Sequence, residues 1–376
     1  MSRPVPRAGS SRLGWLDTAR GISIVWIAFF HFLIAYDNGR YPWPLSFSAM
    51  RSFSAQCAQF PGQDAAGCVA EGLVAALFQR GPHAVGVFLV LSGFGMTLSL
   101  ARTGGPQKGW ARWYWRRCVR LFPMYWLAHL LYLVSPFILR PDPADWRLAL
   151  SFIGDRVFPV DQLFFYANPA WWFFGLLLEL CLVFPLLFGC MNRCGPVRFL
   201  AACGVATVAS RYLLTQVIHA HGDYLQGAFF GARLFEFAAG MALACACHRA
   251  PAATETRLFS RFVPLAGLAV YALGVYCYRP GLAITLSDGL TGVGLFLVIA
   301  HVSRWVNALP RFGSVLAYVG AYSYGIYLIH QPYMMYVGDR LKDLGMAVAV
   351  PAAAAVLGAI VLGGSVAERA LNRLTR

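Results

Sequence analysis

Ten apolar windows, each long enough to cross a bilayer, most limit what this chain can fold into. They fall near 21–37, 82–101, 121–139, 170–190, 199–218, 228–247, 262–278, 282–302, 314–337 and 345–365. Inside hydrocarbon every backbone polar group must be satisfied within the protein, so runs of about 17–25 apolar residues specify helices. Charged side chains occupy only 12% of the 376 positions, and hydrophobic ones 59%. A soluble domain carries about 25% charge. The expected fold is all-α and polytopic, about ten transmembrane helices forming one domain over 1–376.

Orientation follows from the basic residues. With the N-terminus inside, 20 of the 31 Lys and Arg fall in cytoplasmic segments, as the positive-inside rule requires. Both termini are then expected in the cytoplasm. Residues 1–20 form a cytoplasmic N-terminus and 102–120 a basic cytoplasmic loop. Stretches 38–81 and 140–169 are long outer loops. The net charge of +15 therefore reflects topology, with the bilayer as partner and no nucleic acid implied. The first span lacks a small-residue cleavage site and reads as a signal anchor. A multi-pass membrane protein is the expected setting. The sequence leaves the oligomeric state open.

Most of the ten cysteines lie in or beside spans, where cysteine behaves as a small apolar residue. Cys190 and Cys194 lack histidine partners, so no metal site is expected. Cys57 and Cys68 share the first outer loop and can form a disulfide if that loop faces an oxidising compartment.

Arg12, Asp17 and Arg20 crowd the mouth of the first span, and His31 lies deep within it. An ionisable group that far into hydrocarbon costs several kcal/mol unless paired or solvated, which marks His31 as a functional candidate. Eleven residues separate it from Arg20, three turns and about 20°, so both share one face roughly 16 Å apart. A cation at the entrance and an imidazole further along suit a long anionic cosubstrate. Arg116, Arg117 and Arg120 sit at helical spacing, where guanidinium forks can converge on phosphate. Trp110, Trp113 and Trp115 could stack on an adenine or lie in the membrane interface. A second deep histidine, His330, shares a helical face with Ser323 and Tyr327. An imidazole titrates near working pH and can accept and return a proton, although hydrogen bonding to a neighbouring helix would also explain it. Among the buried charges, Arg233 and Glu236 can pair at i, i+3. Glu179 has no local cation and could orient a catalytic histidine, as a carboxylate does in serine hydrolases. Ser92-Gly93 supplies small residues where a backbone or ligand can come close.

These segments resemble the acyltransferase-3 family of bacterial inner-membrane O-acyltransferases, which implies a multi-pass protein of that membrane. The opening pattern matches Leu16-Asp17, Arg20-Gly21 and His31, including the Arg-x10-His spacing. The Ser-Gly-Phe element corresponds to Ser92-Gly93-Phe94, and the Arg-x-x-Arg-Leu-x-Pro-x-Tyr-Trp element to Arg117 through Trp126. The Trp…Glu…Pro segment resembles Trp171, Trp172, Glu179 and Pro185. The last signature is Ser323-Tyr324, Tyr327-Leu328, His330 and Pro332. Glu368-Arg369-Ala370 departs from the family's Glu-x-Pro ending, and the expected form is stand-alone, without a fused extracytoplasmic domain.

The resemblance implies transfer of an acyl group, commonly acetyl from acetyl-CoA, to a hydroxyl of a surface or lipid-linked glycan such as an exopolysaccharide or O-antigen. Acyl-CoA is a cosubstrate, and no permanently bound cofactor is implied. His31, Glu179 and His330 are then the candidate catalytic residues. Arg20, Arg116, Arg117 and Arg120 would bind acyl-CoA, with Arg12, Asp17, Ser92, Ser323 and Tyr327 in support. A secondary transporter or flippase for a glycan or anionic solute would use similar ingredients. The lack of repeat halves and the placement of the histidines count against it.

Overall fold

The computed structural model describes residues 14–43, 46–57, 65–220 and 222–374. Arg12, expected at the mouth of the first span, lies outside the described residues. Helix α1 (Gly14–Tyr36) is followed by α2 (Phe47–Cys57), α3 (Ala65–Gln79), α4 (Ala84–Thr103) and α5 (Gly109–Val134). Two short helices, α6 (Trp146–Phe152) and α7 (Val160–Leu163), lead to α8 (Trp172–Cys194) and α9 (Pro196–Tyr212). Then come α10 (Leu234–Arg249), α11 (Pro251–Leu258), α12 (Val263–Tyr276) and α13 (Ile284–Asn307). The chain ends in α14 (Pro310–Ala321), α15 (Ser323–Leu341) and α16 (Met346–Leu374). No strand occurs among the described residues.

The all-α, multi-pass expectation holds. Seven helical stretches are long and apolar enough to cross a bilayer, and the bent pairs α11 with α12 and α14 with α15 raise the number to nine. The remaining expected window, 121–139, falls largely in α5. At 26 residues that helix reaches about 39 Å, but its first half carries Arg112, Arg116, Arg117 and Arg120. The 314–337 window is not one straight span, because α14 and α15 meet at 85° where the backbone leaves helical geometry at Tyr322. Within the basic 102–120 segment α5 begins at Gly109, and Arg116, Arg117 and Arg120 are helical, as their spacing suggests. The 38–81 segment holds two helices, and a disulfide between Cys57 and Cys68 joins them with Cα atoms 5.8 Å apart.

Helix α1 lies at the centre and packs against α4, α13, α14 and α15. Its close approach to α14 depends on Gly21 and Gly320: a Cβ on either would run into backbone of the facing helix, at Leu316 and Asp17 respectively. One end of α1 carries Asp17 and Arg20. The other, at Tyr36, donates to the Leu344 carbonyl at 2.6 Å beside the disulfide-linked pair. The molecule thus has an arginine-rich face and a disulfide face, with α1 running between them.

Candidate active site

Helices α1 and α15 bring the two deep histidines together. His330 Nε2 lies 3.0 Å from His31 Nδ1, and His330 Nδ1 lies 2.8 Å from the Tyr327 carbonyl. A carbonyl can only accept, so His330 carries its proton on Nδ1 and offers a lone pair at Nε2. His31 then donates from Nδ1, leaving the lone pair of its own Nε2 free. His330 is fully buried, while His31 lines a cavity of about 550 Å³ that opens toward the disulfide face.

The position of His330 follows from a proline. Pro332 has no N–H, so the Leu328 carbonyl one turn earlier loses its helical partner. Two side chains from the segment before α8 replace it: Trp171 Nε1 donates at 2.8 Å and Asn168 Nδ2 at 3.0 Å. The Ala170 amide donates to Gln331 Oε1, and the Tyr327 hydroxyl donates to the Ala170 carbonyl. At about 1 kcal/mol per net bond, this clamp holds the histidine turn of α15 against 168–171.

On the arginine-rich face a second cavity, about 270 Å³, is lined by Arg20, Ser92, Arg117, Arg120, Ser323 and Tyr327 among others. Arg117 and Arg120 also line an adjoining pocket of about 260 Å³ with Arg116. Arg20 is held by Asp17 at 2.7 Å. Tyr327 borders both the arginine cavity and the His31 cavity, so its side chain stands between them. Of the three tryptophans, Trp113 stacks on Phe184 at 5.2 Å and sits under Arg117 at 5.1 Å. Trp110 packs edge-on against Trp113. Trp113 is therefore packed within the protein, and Trp115 is exposed.

Residues 13–367, nearly the whole chain, match the family model described as an acyltransferase domain, acyltransferase-3. The chain belongs to the acyltransferase-3 family. Searches of curated proteins and of solved structures find no match. This membrane acyltransferase thus brings Arg20, Ser92, Arg117, Arg120, Ser323 and Tyr327 to one cavity, Arg116 to its neighbour, and His31 and His330 into contact.

Glu179 is not brought to the histidines. Its Oε2 accepts from the Phe230 amide at 2.8 Å, and it lines a separate groove on the flank of the acyltransferase. The His31 imidazole is held instead by His330 and by the Ile27 backbone. Arg233 and Glu236 pair at 2.8 Å as their spacing predicts. Asp288 joins them from α13, 2.6 Å from Arg211 and 3.4 Å from Arg233. Arg211, Arg233 and Asp288 all line the His31 cavity.

Sequence reasoning missed two residues of this environment. Arg156, in the 140–169 segment, is buried and donates to the carbonyls of Leu163 and Tyr166 at 3.2 and 2.8 Å, anchoring that segment over Trp171. His129 is buried against Trp171 and sits 2.7 Å from Ser151 Oγ. Neither shows in helical spacing, because Arg156 reaches carbonyls in an irregular stretch and His129 reaches Ser151 on another helix. Glu368 of α16 also lines the arginine cavity. No group of three metal-ligating side chains occurs among the described residues.

Proposed function

We propose that this acyltransferase moves an acetyl group from acetyl-CoA to a hydroxyl of a surface or lipid-linked glycan, in a bacterial inner membrane with both termini in the cytoplasm. The main support is the meeting of two unlike cavities at Tyr327, one arginine-lined and one bordered by the His31–His330 pair. Acetyl-CoA enters from the cytoplasm with its phosphates on Arg116, Arg117, Arg120 and Arg20. Arginine forks suit that task, since phosphate accepts two parallel N–H bonds from a single guanidinium. The disulfide lies on the opposite face from the arginines, which agrees with an oxidising compartment there.

The acceptor enters the His31 cavity. His31 Nε2 takes the proton from the sugar hydroxyl as its oxygen attacks the thioester carbonyl. The carbon–sulfur bond breaks, and the thiolate leaving with CoA receives the proton. His330 accepts the His31 Nδ1–H throughout and steadies the imidazolium. A relay through an acetyl-histidine gives the same products. Acid quenching with radiolabelled acetyl-CoA separates the two, because direct transfer leaves no label on the protein.

The test is reconstitution in vesicles with labelled acetyl-CoA and a glycan acceptor. Acetylated glycan formed by the wild type and lost in His31→Gln is the expected result. Movement of solute without thioester cleavage would instead make the protein a transporter.

A further inference from the structure

The arginine cavity and the His31 cavity lie end to end on one axis. Arg20 of α1 lines the first, and Ile27, two turns on, lines the second. The same order holds on α4 with Phe88 and Val85, on α8 with Phe173 and Trp172, and on α15 with Ser323 and Gln331. Four helices therefore wall both chambers, and three of them pass from one to the other within a few residues. From Val85 to Phe88 the rise is about 4.5 Å, and on α15 the single residue Tyr327 borders both chambers. The partition is one layer of side chains thick.

Rings fill that layer. Phe173 meets Tyr327 edge-on with centroids 5.4 Å apart, and Phe88 meets Phe173 at 6.4 Å. Ile24, on the face of α1 that Arg20 and His31 share, is fully buried. The polar atom these four side chains carry is the Tyr327 hydroxyl, and it donates to the Ala170 carbonyl. On either side the walls turn polar, with guanidinium groups toward one face and His31, Gln331 and Asp288 toward the other. An apolar neck between two polar chambers dewets and stops ions.

We propose that Phe88, Phe173 and Tyr327 form a closed septum across an otherwise continuous passage, with Tyr327 as its moving leaf and the Ala170 carbonyl as its latch. Turning the Tyr327 ring about its Cα–Cβ bond breaks the bond to Ala170. The Tyr327 main-chain carbonyl stays in place and keeps its bond to His330 Nδ1. The leaf therefore opens without disturbing the histidine pair. An uncharged donor arm can part the rings while its phosphates remain among the guanidinium groups, and the septum reseals when the arm withdraws. For what crosses, this rests on the proposed acyl transfer. The septum itself stands on the geometry of the two cavities.

Chloride efflux from vesicles holding the full-length protein reads the septum directly. Chloride suits the arginine mouth, where fixed positive charge concentrates anions. Wild-type vesicles should leak no faster than protein-free ones. Tyr327→Ala with Phe173→Ala should raise efflux by about tenfold or more, and Phe88→Ala takes their place if thermal unfolding shows that pair misfolded. Adding Arg117→Ala and Arg120→Ala should cut the leak several-fold, which leakage around a damaged protein would not show. Tyr327→Phe keeps the ring without its latch and should fall between wild type and the alanine variant. A folded alanine variant as tight as wild type, a leak indifferent to the arginines, or a wild type that already leaks would overturn the septum. Tyr327→Phe as tight as wild type would overturn the latch. No acyl-CoA is present in the assay, so failure of the acetyl-transfer proposal is read separately.

Discussion

Replacing His330 tests how the site makes a base. His330→Phe keeps a flat ring in a fully buried position but removes the Nε2 lone pair 3.0 Å from His31 Nδ1. His31 gains positive charge as it takes the acceptor proton, so the lost bond is one to a charged group, worth about 1.5–3 kcal/mol. At about 1.4 kcal/mol per tenfold in rate, kcat should fall about 10- to 100-fold. KM for acetyl-CoA should hold, because the arginine cavity lies beyond Tyr327. The assay is thiol release from acetyl-CoA in the presence of a glycan acceptor, with purified protein in nanodiscs. His330→Gln, whose side-chain carbonyl can accept the same N–H, should recover part of the loss. Residues acting as a unit are non-additive, so His31→Gln with His330→Phe should be no worse than His31→Gln alone. Full kcat in His330→Phe, or a double variant whose losses multiply, would refute the paired-imidazole account.

Arg117→Ala with Arg120→Ala should raise the KM for acetyl-CoA by about one to two orders of magnitude, through loss of charge-assisted bonds worth about 1.5–3 kcal/mol. Steady-state kinetics on a stably inserted double variant check this, and unchanged KM would remove that cavity from donor binding. Asp288→Asn leaves Arg211 and Arg233 without their shared counter-charge, and should destabilise the protein by about 3–5 kcal/mol, seen as a lowered thermal midpoint. Asn168→Ala with Trp171→Phe strips both donors from the Leu328 carbonyl and should cost about 1–3 kcal/mol, with kcat falling more than KM as His330 loses its position. A membrane-impermeant thiol reagent should label the exposed Cys118, Cys190 and Cys194 from the cytoplasmic side only, while Cys57 and Cys68 stay blocked until reduced.

Periodicity and charge counting recover the helical architecture because hydrocarbon leaves the backbone few choices. They also place His31 on the same stripe as Arg20, since one helix fixes that relation. The sharp turn at Tyr322 was not legible, because an apolar window reads the same whether straight or bent. The partner of Glu179 was not legible for a related reason. Its place on α8 was clear, but which neighbour faced it depends on how α8 and the irregular 213–233 segment pack. The proline at 332 is the instructive case. Its missing N–H was visible in the sequence and implied an orphan carbonyl at Leu328. The donors that satisfy it, Trp171 and Asn168, sit about 160 residues away and only the fold brings them there.

Two cavities meeting at one tyrosine also answer an energetic problem posed by the proposed donor. Acetyl-CoA carries several phosphate charges, and moving an ionised group into a low-dielectric interior without partners costs far more than any binding energy available. Its thioester arm carries no such penalty. The charged end should therefore stay among the guanidinium groups at one face while the uncharged arm reaches inward. That requires the reacting base to stand a fixed distance from the arginines along a rigid element. Helix α1 supplies it, with Arg20 and His31 on one face roughly 16 Å apart. An acceptor that never enters the cytoplasm can then be acylated from the far side, with only the acyl group passing Tyr327.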